Sequence, residues 1–146
     1  MVELEATVMV AKGRLLQEEE HLRGLADQLV CHARAKDVVG FLWIDRTFHL
    51  GIPASFGNYR LLEFGALLRD QARLPGIRHL AKTGAVLELA NEPRALRDAV
   101  TAGDPAATAR LMRGHLGHTR GRWAARSEEA LDAEQPGASV QHPSGR

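Results

Sequence analysis

Apolar residues recur along the chain at steps of three and four, in blocks separated by Gly-, Pro- and Asp-containing breaks, which is the periodicity of amphipathic helices. The pattern predicts a first helix over about residues 2–15, weakened near Gly13. A second over about 17–35 turns Leu22, Leu25, Leu29 and Cys31 or His32 inward. A third over about 38–52 ends in Pro53-Ala54-Ser55-Phe56-Gly57-Asn58, where Gly57 suits a left-handed cap and Asn58 suits the N-cap of the next helix. The fourth, about 59–74, points Leu61, Leu62, Phe64 or Gly65, and Leu68 inward and stops at Pro75-Gly76. Residues 78–102 read as a helical stretch interrupted at Pro93. Gly103-Asp104-Pro105 then closes one helix and opens the last, which runs to about residue 125 or 130. Ala and Leu far outnumber Val, Ile and Thr, in keeping with an all-α fold of about six helices.

Composition narrows the setting. The 146 residues are 45% hydrophobic and 25% charged, enough for one domain with a core that needs no disulfide or structural metal. Nineteen Lys plus Arg against eighteen Asp plus Glu give a net charge of +1, which excludes strong whole-surface attraction to nucleic acid or membrane. No apolar run approaches a membrane span, and the early Glu3 and Glu5 do not suit a secretion signal. Cys31 is the single cysteine. It cannot form an internal bridge, packs as a small apolar residue on this reading, and fits a cytoplasmic protein. The breaker-rich end divides the chain into residues 1–126, the bundle, and 127–146, a disordered tail.

Chemistry enters on the third helix. Phe41, Leu42, Asp45, Phe48, His49 and Ile52 share one face, so two ionisable groups lie in an apolar stripe. A carboxylate buried without a partner costs several kcal/mol, which implies compensation of Asp45. Asp45 and His49, four apart, form either an internal ion pair or two ligands of one cation. On the last helix Ala107, Leu111, His115 and His118 recur at helical spacing and bring His115 to the core as a third donor. One carboxylate and two imidazoles on two packed helices suit a divalent transition metal, with His118 either a partner of a ligand or a surface residue.

Other signals are discounted. Glu18-Glu19-Glu20-His21 contains the Glu-x-x-His spacing of di-iron bundles, but the second copy that such a site needs is missing. Arg110, Arg113, Arg120, Arg122 and Arg126 read as a solvated face, and Trp43, off the Asp45 stripe, as a helix or subunit contact. No Gly-rich turn follows a strand to cradle phosphate.

Several segments occur together: Asp45-Arg46-Thr47-Phe48-His49, Ala54-Ser55-Phe56-Gly57-Asn58, the run from Leu96 to Asp104, and Ala106 to Leu116 with Ala109, Met112, Arg113, His115 and Leu116. In their order and separations the chain resembles, over residues 2–125, the C-terminal effector-binding and dimerisation domain of GntR-type bacterial transcription regulators, the FCD domain. The resemblance implies an antiparallel bundle of six or seven helices, a homodimer, and a divalent metal of the Zn, Ni or Mn type held by one Asp and three His. That metal would help to hold a small carboxylic acid effector. Asp45, His49 and His115 match three of the ligands. The fourth comes from a Glu-His pair, and here those positions are Glu92 and Pro93. Proline has no side-chain donor and should kink or restart its helix. The site is then a three-ligand centre completed by water or effector, a centre completed by Glu92, Glu88 or His118, or a centre that has lost its metal.

A second departure concerns DNA. The family's winged helix-turn-helix precedes this domain, and this sequence starts at the domain's first helix, where the family's usual Arg falls at Met1. DNA binding is therefore expected only through a module outside this sequence. These readings converge on a ligand-sensing domain that is not an enzyme, in which an acid shifts the dimer between two packings. The alternative is a free-standing helical dimerisation or interaction module with no small-molecule ligand.

Overall fold

The computed structural model describes residues 2–73 and 86–117, and all regular secondary structure among them is helical. The Pro75-Gly76 stop, residues 78–85, His118, Arg120, Arg122, Trp123, Arg126 and the 127–146 tail lie outside the described residues. The elements are α1 (Val2–Gly13), α2 (Glu19–Arg34), α3 (Val38–Ala54), α4 (Tyr59–Arg73), α5 (Val86–Leu89), α6 (Glu92–Ala102) and α7 (residues 105–117). Together they form the all-α bundle that the periodicity predicts.

Side-chain caps open α3, α4 and α7. Between α2 and α3 Lys36 is left-handed, and the Asp37 carboxylate accepts from the Gly40 N–H at 2.9 Å. The same carboxylate meets His32 Nδ1 at 2.9 Å. The Gly40 hydrogen bond, followed by His32, draws the Asp37 carboxyl below its usual value. Gly57 and Gly103 both have positive φ, 73° and 68°, as the predicted left-handed caps require. Asn58 caps α4 through Leu61 N–H at 3.1 Å, and Asp104 caps α7 through Ala107 N–H at 2.9 Å. Pro93 occupies the first turn of α6, where its missing N–H leaves no bond unmade, so it restarts the helix there.

The helices pack through their apolar stripes. The α2 and α3 helices run along one another, α1 lies against α3 and α6, and α4 covers α3 from another side. Leu4, Val10, Leu22, Leu29, Phe48, Ile52, Val100 and Met112 are almost wholly withdrawn from solvent at the centre. Two inward assignments need correction. Cys31 is exposed, because the buried face of α2 runs through Leu22, Leu25, Ala26, Leu29, Val30 and Ala33 and leaves Cys31 outside it. On α4, Phe64 and Leu68 are half exposed, and the buried residue one position beyond Leu68 is Arg69. The α4 stripe is rotated so that a cation, not a leucine, reaches the interior.

Candidate metal and effector site

The α3 stripe carries its two polar residues inward as the spacing predicts. Phe41, Asp45, Phe48, His49 and Ile52 are all buried, with Asp45 at 6% and His49 at 2% exposure. The α7 stripe brings in Thr108, Met112 and His115. Leu111 is only half-buried, so the inward face of α7 lies slightly round from the predicted Ala107–Leu111 line.

These stripes meet at one point. Asp45, His49 and His115 each offer a ligand atom within 4.8 Å of the others'. The two imidazoles stack, with ring centroids 4.4 Å apart and planes at 23°. Phe48 meets the His49 ring edge-on, at 5.3 Å and 85°. His49 Nε2 faces Asp45 Oδ1 at 3.5 Å, beyond a good hydrogen bond, and is buried with no hydrogen-bond partner among the described residues. His115 Nδ1 donates to Glu92 Oε2 at 2.7 Å. With the proton on Nδ1, Nε2 of His115 carries the lone pair, the tautomer that a metal ligand needs.

Two further ionised groups border the triad, and the sequence reading missed both. Arg69 of α4 is 8% exposed. It donates to Glu3 Oε1 through Nη1 and to Asp45 Oδ2 through Nη2 at 3.3 Å. Glu3 Oε1 also lies 3.4 Å from His49 Nδ1. A signal for Arg69 was present, since it stands four residues after Gly65 and seven after Leu62 on the α4 stripe. Glu3 likewise stands four residues before Thr7 and seven before Val10, both buried on α1. Of the other named residues, Pro93 is buried on α6 with no donor to offer, and Glu88 is exposed on α5.

The electrostatics follow from burial. Withdrawal from water pushes the His49 imidazole well below its ordinary value of 6.5, with Arg69 and His115 adding to the shift and Glu3 and Glu92 opposing it. For Glu3 burial acts to raise the pKa, but the charge and hydrogen bond of Arg69, joined by His49 and His115 where they are protonated, outweigh it and hold the carboxyl below its usual value. Burial also lowers Arg69, with Glu3 as the main opposing influence. His49 is accordingly neutral and Glu3 ionised at pH 7.

The neutral His49 sets the sign of a pH effect. Unfolded, this histidine titrates near 6.5; folded, it resists protonation until a lower pH. Between the two values the unfolded chain binds the extra proton. Its contribution to stability is therefore full above about pH 6.5 and declines as the pH falls, at up to about 1.4 kcal/mol per unit. Urea unfolding of chelator-treated protein at pH 7.5, 6.5 and 5.5 measures the slope. His49→Gln should flatten it, and equal slopes in the two proteins would show that His49 is not its source.

Comparison with known sequences now decides the family. A model of the FCD domain matches residues 1–118. The chain belongs to the FCD family. No curated protein and no solved structure matches it significantly. FCD domains are the C-terminal effector-binding domains of GntR-type transcription regulators, a regulatory and not an enzymatic family. Within this FCD bundle the Asp45, His49 and His115 cluster lies between α3 and α7, with Glu92 of α6 on one side and Arg69 of α4 and Glu3 of α1 on the other. No helix among the described residues of the FCD chain is long and apolar enough to cross a membrane.

Proposed function

We propose that this chain is the sensing domain of a GntR-type regulator, in which Asp45, His49 and His115 hold a divalent transition metal and a small carboxylic acid binds beside it. The observation that carries this reading is the convergence of three buried ligand groups, one with an imidazole nitrogen that has no hydrogen-bond partner among the described residues. A buried acceptor with no donor is costly, and a cation held by Asp45, His49 and His115 would satisfy it. When bound, the metal supplies positive charge and open coordination positions for an anionic ligand.

The chain's own residues prepare the site. Glu92 orients His115, Arg69 fixes the second oxygen of Asp45, and the Phe48 edge limits the tilt of His49. Pro93, at the position of the family's fourth ligand, offers no donor, so water or effector would complete the centre. The acid acts by binding one packing of the bundle better than another, and the change passes through a homodimer to a DNA-binding module. Exposed Val39 and Trp43 on α3 and Tyr59, Phe64 and Leu67 on α4 supply apolar surface for that dimer. The working unit is residues 1–126, with 127–146 as a tail, and the setting is the cytoplasm.

Metal analysis of purified protein equilibrated with Zn, Ni or Mn tests the centre. One equivalent is expected in the wild type and a loss of binding in Asp45→Ala and His115→Ala; a wild type that retains no metal overturns the metal-assisted reading. At a hundred times its dissociation constant the metal should add about 2.7 kcal/mol to the unfolding free energy, seen as a raised melting temperature. A thermal-shift series with mono- and dicarboxylates tests the effector. A dimer that binds no acid would favour a pure dimerisation module.

A further inference from the structure

Resting on the effector reading above, we propose that Arg69 is the anchor for the effector's carboxylate and that Glu3 is a tethered carboxylate occupying that anchor until the effector displaces it. Glu3 reaches from the first turn of α1 to Arg69 and to within 3.4 Å of His49 Nδ1. It is thus a carboxylate held by a buried guanidinium beside the candidate metal ligands, the arrangement that an acid bound there needs. Arg69 Nε is buried with no hydrogen-bond partner among the described residues, so the guanidinium has a donor to spare. Guanidinium and carboxylate pair best through two parallel N–H donors, and the Nη1 that Glu3 would vacate lies beside Nη2, which supplies the second.

The adjoining space sets the chemistry of the rest of the ligand. A cavity of about 20 Å³ opens between α1, α3 and α4, lined by Glu3, Ala6, His49, Pro53, Leu62 and Gly65 among others. That volume holds about one water and is too small for even a two-carbon acid while Glu3 stays in place. Apart from Glu3 and His49 its walls are apolar, which suits a short aliphatic chain behind a single carboxylate.

Occupancy makes the event an exchange and not an addition. Arg69 Nη1 is held by Glu3 and Nη2 by Asp45, so an acid reaches Nη1 only in the place of Glu3. Trading Glu3 for the ligand conserves charge and removes the tie from α4 to the start of α1. The first turn of α1 is then released, which gives the ligand a mechanical consequence at one end of the bundle.

Isothermal titration of the full chain with butyrate, with butyramide as the uncharged control, tests the exchange. A site that is open a tenth of the time or less has an apparent affinity at least about tenfold below its intrinsic one, so Glu3→Ala should tighten butyrate binding by about that factor. Arg69→Gln should abolish it. Hydrogen exchange of the peptide covering residues 1–10 should rise on adding butyrate to the wild type and stay unchanged in Glu3→Ala. Wild-type affinity retained in Glu3→Ala, or no change in exchange when butyrate binds, overturns the displacement while leaving the effector reading intact. Should Arg69→Gln fail to fold, as judged by circular dichroism, the Glu3→Ala affinity and the exchange data decide alone. Absence of carboxylate binding in both wild type and Glu3→Ala removes the effector reading, and the displacement with it.

Discussion

Arg69→Met is expected to lower the unfolding free energy of the metal-free protein by about 3–5 kcal/mol. The guanidinium lies between Glu3 and Asp45 with 8% of its surface exposed, and methionine keeps most of its volume while removing its charge. What remains is the Asp45 carboxylate, 9% exposed, and the Glu3 carboxylate, each without this cation. Losing one partner of a buried pair costs more than the pair contributed, because the surviving charge keeps its desolvation penalty. The same logic predicts recovery. Asp45→Asn combined with Arg69→Met should restore part of the loss, so the two changes should not add. A divalent metal should also offset part of it by supplying positive charge to Asp45. Urea unfolding with chelator, and again with saturating metal, measures both effects. A loss below about 1 kcal/mol in the chelated Arg69→Met protein would mean that groups other than Arg69 compensate the two carboxylates.

This residue also marks the limit of what the sequence discloses. Asp45, His49 and His115 were legible because each lies on a strong apolar stripe, where a polar residue stands out and helical spacing fixes its direction. The capping sites at Asn58, Gly103 and Asp104 were legible for a local reason: the groups they satisfy lie within three or four residues of the cap. Arg69 and Glu3 were harder to see. The α4 stripe is diluted by Gly65 and by half-exposed Phe64 and Leu68, so periodicity alone does not choose between Leu68 and Arg69 as the inward residue. Glu3 lies in a first turn, where an acidic residue has a sufficient local role against the helix dipole. Only packing of α1 and α4 on α3 reveals that two residues 66 positions apart form one ion pair above the triad. Cys31 failed in the opposite sense, since residue type suggested burial and the helix phase placed it outside.

The other large effect belongs to Phe48, between the two α3 ligands' turns. Phe48→Ala is expected to cost about 3–5 kcal/mol, because the ring is fully buried and its removal leaves a cavity that the surrounding helices can close only in part. Met9→Ala, on α1 and 48% exposed, should stay within about 0.5 kcal/mol. Phe48 does more than fill space. Its edge-on contact with His49 restricts the imidazole, whose Nε2 has no hydrogen bond among the described residues to hold it. Metal affinity should therefore fall in Phe48→Ala even at a temperature where the variant is fully folded, whereas a remote core truncation such as Val10→Ala should lower stability with little effect on affinity. Equilibrium unfolding paired with metal titration at low temperature separates the two. Equal metal affinities for folded Phe48→Ala and wild type would confine Phe48 to the core and leave the orientation of His49 to Asp45 and Glu3.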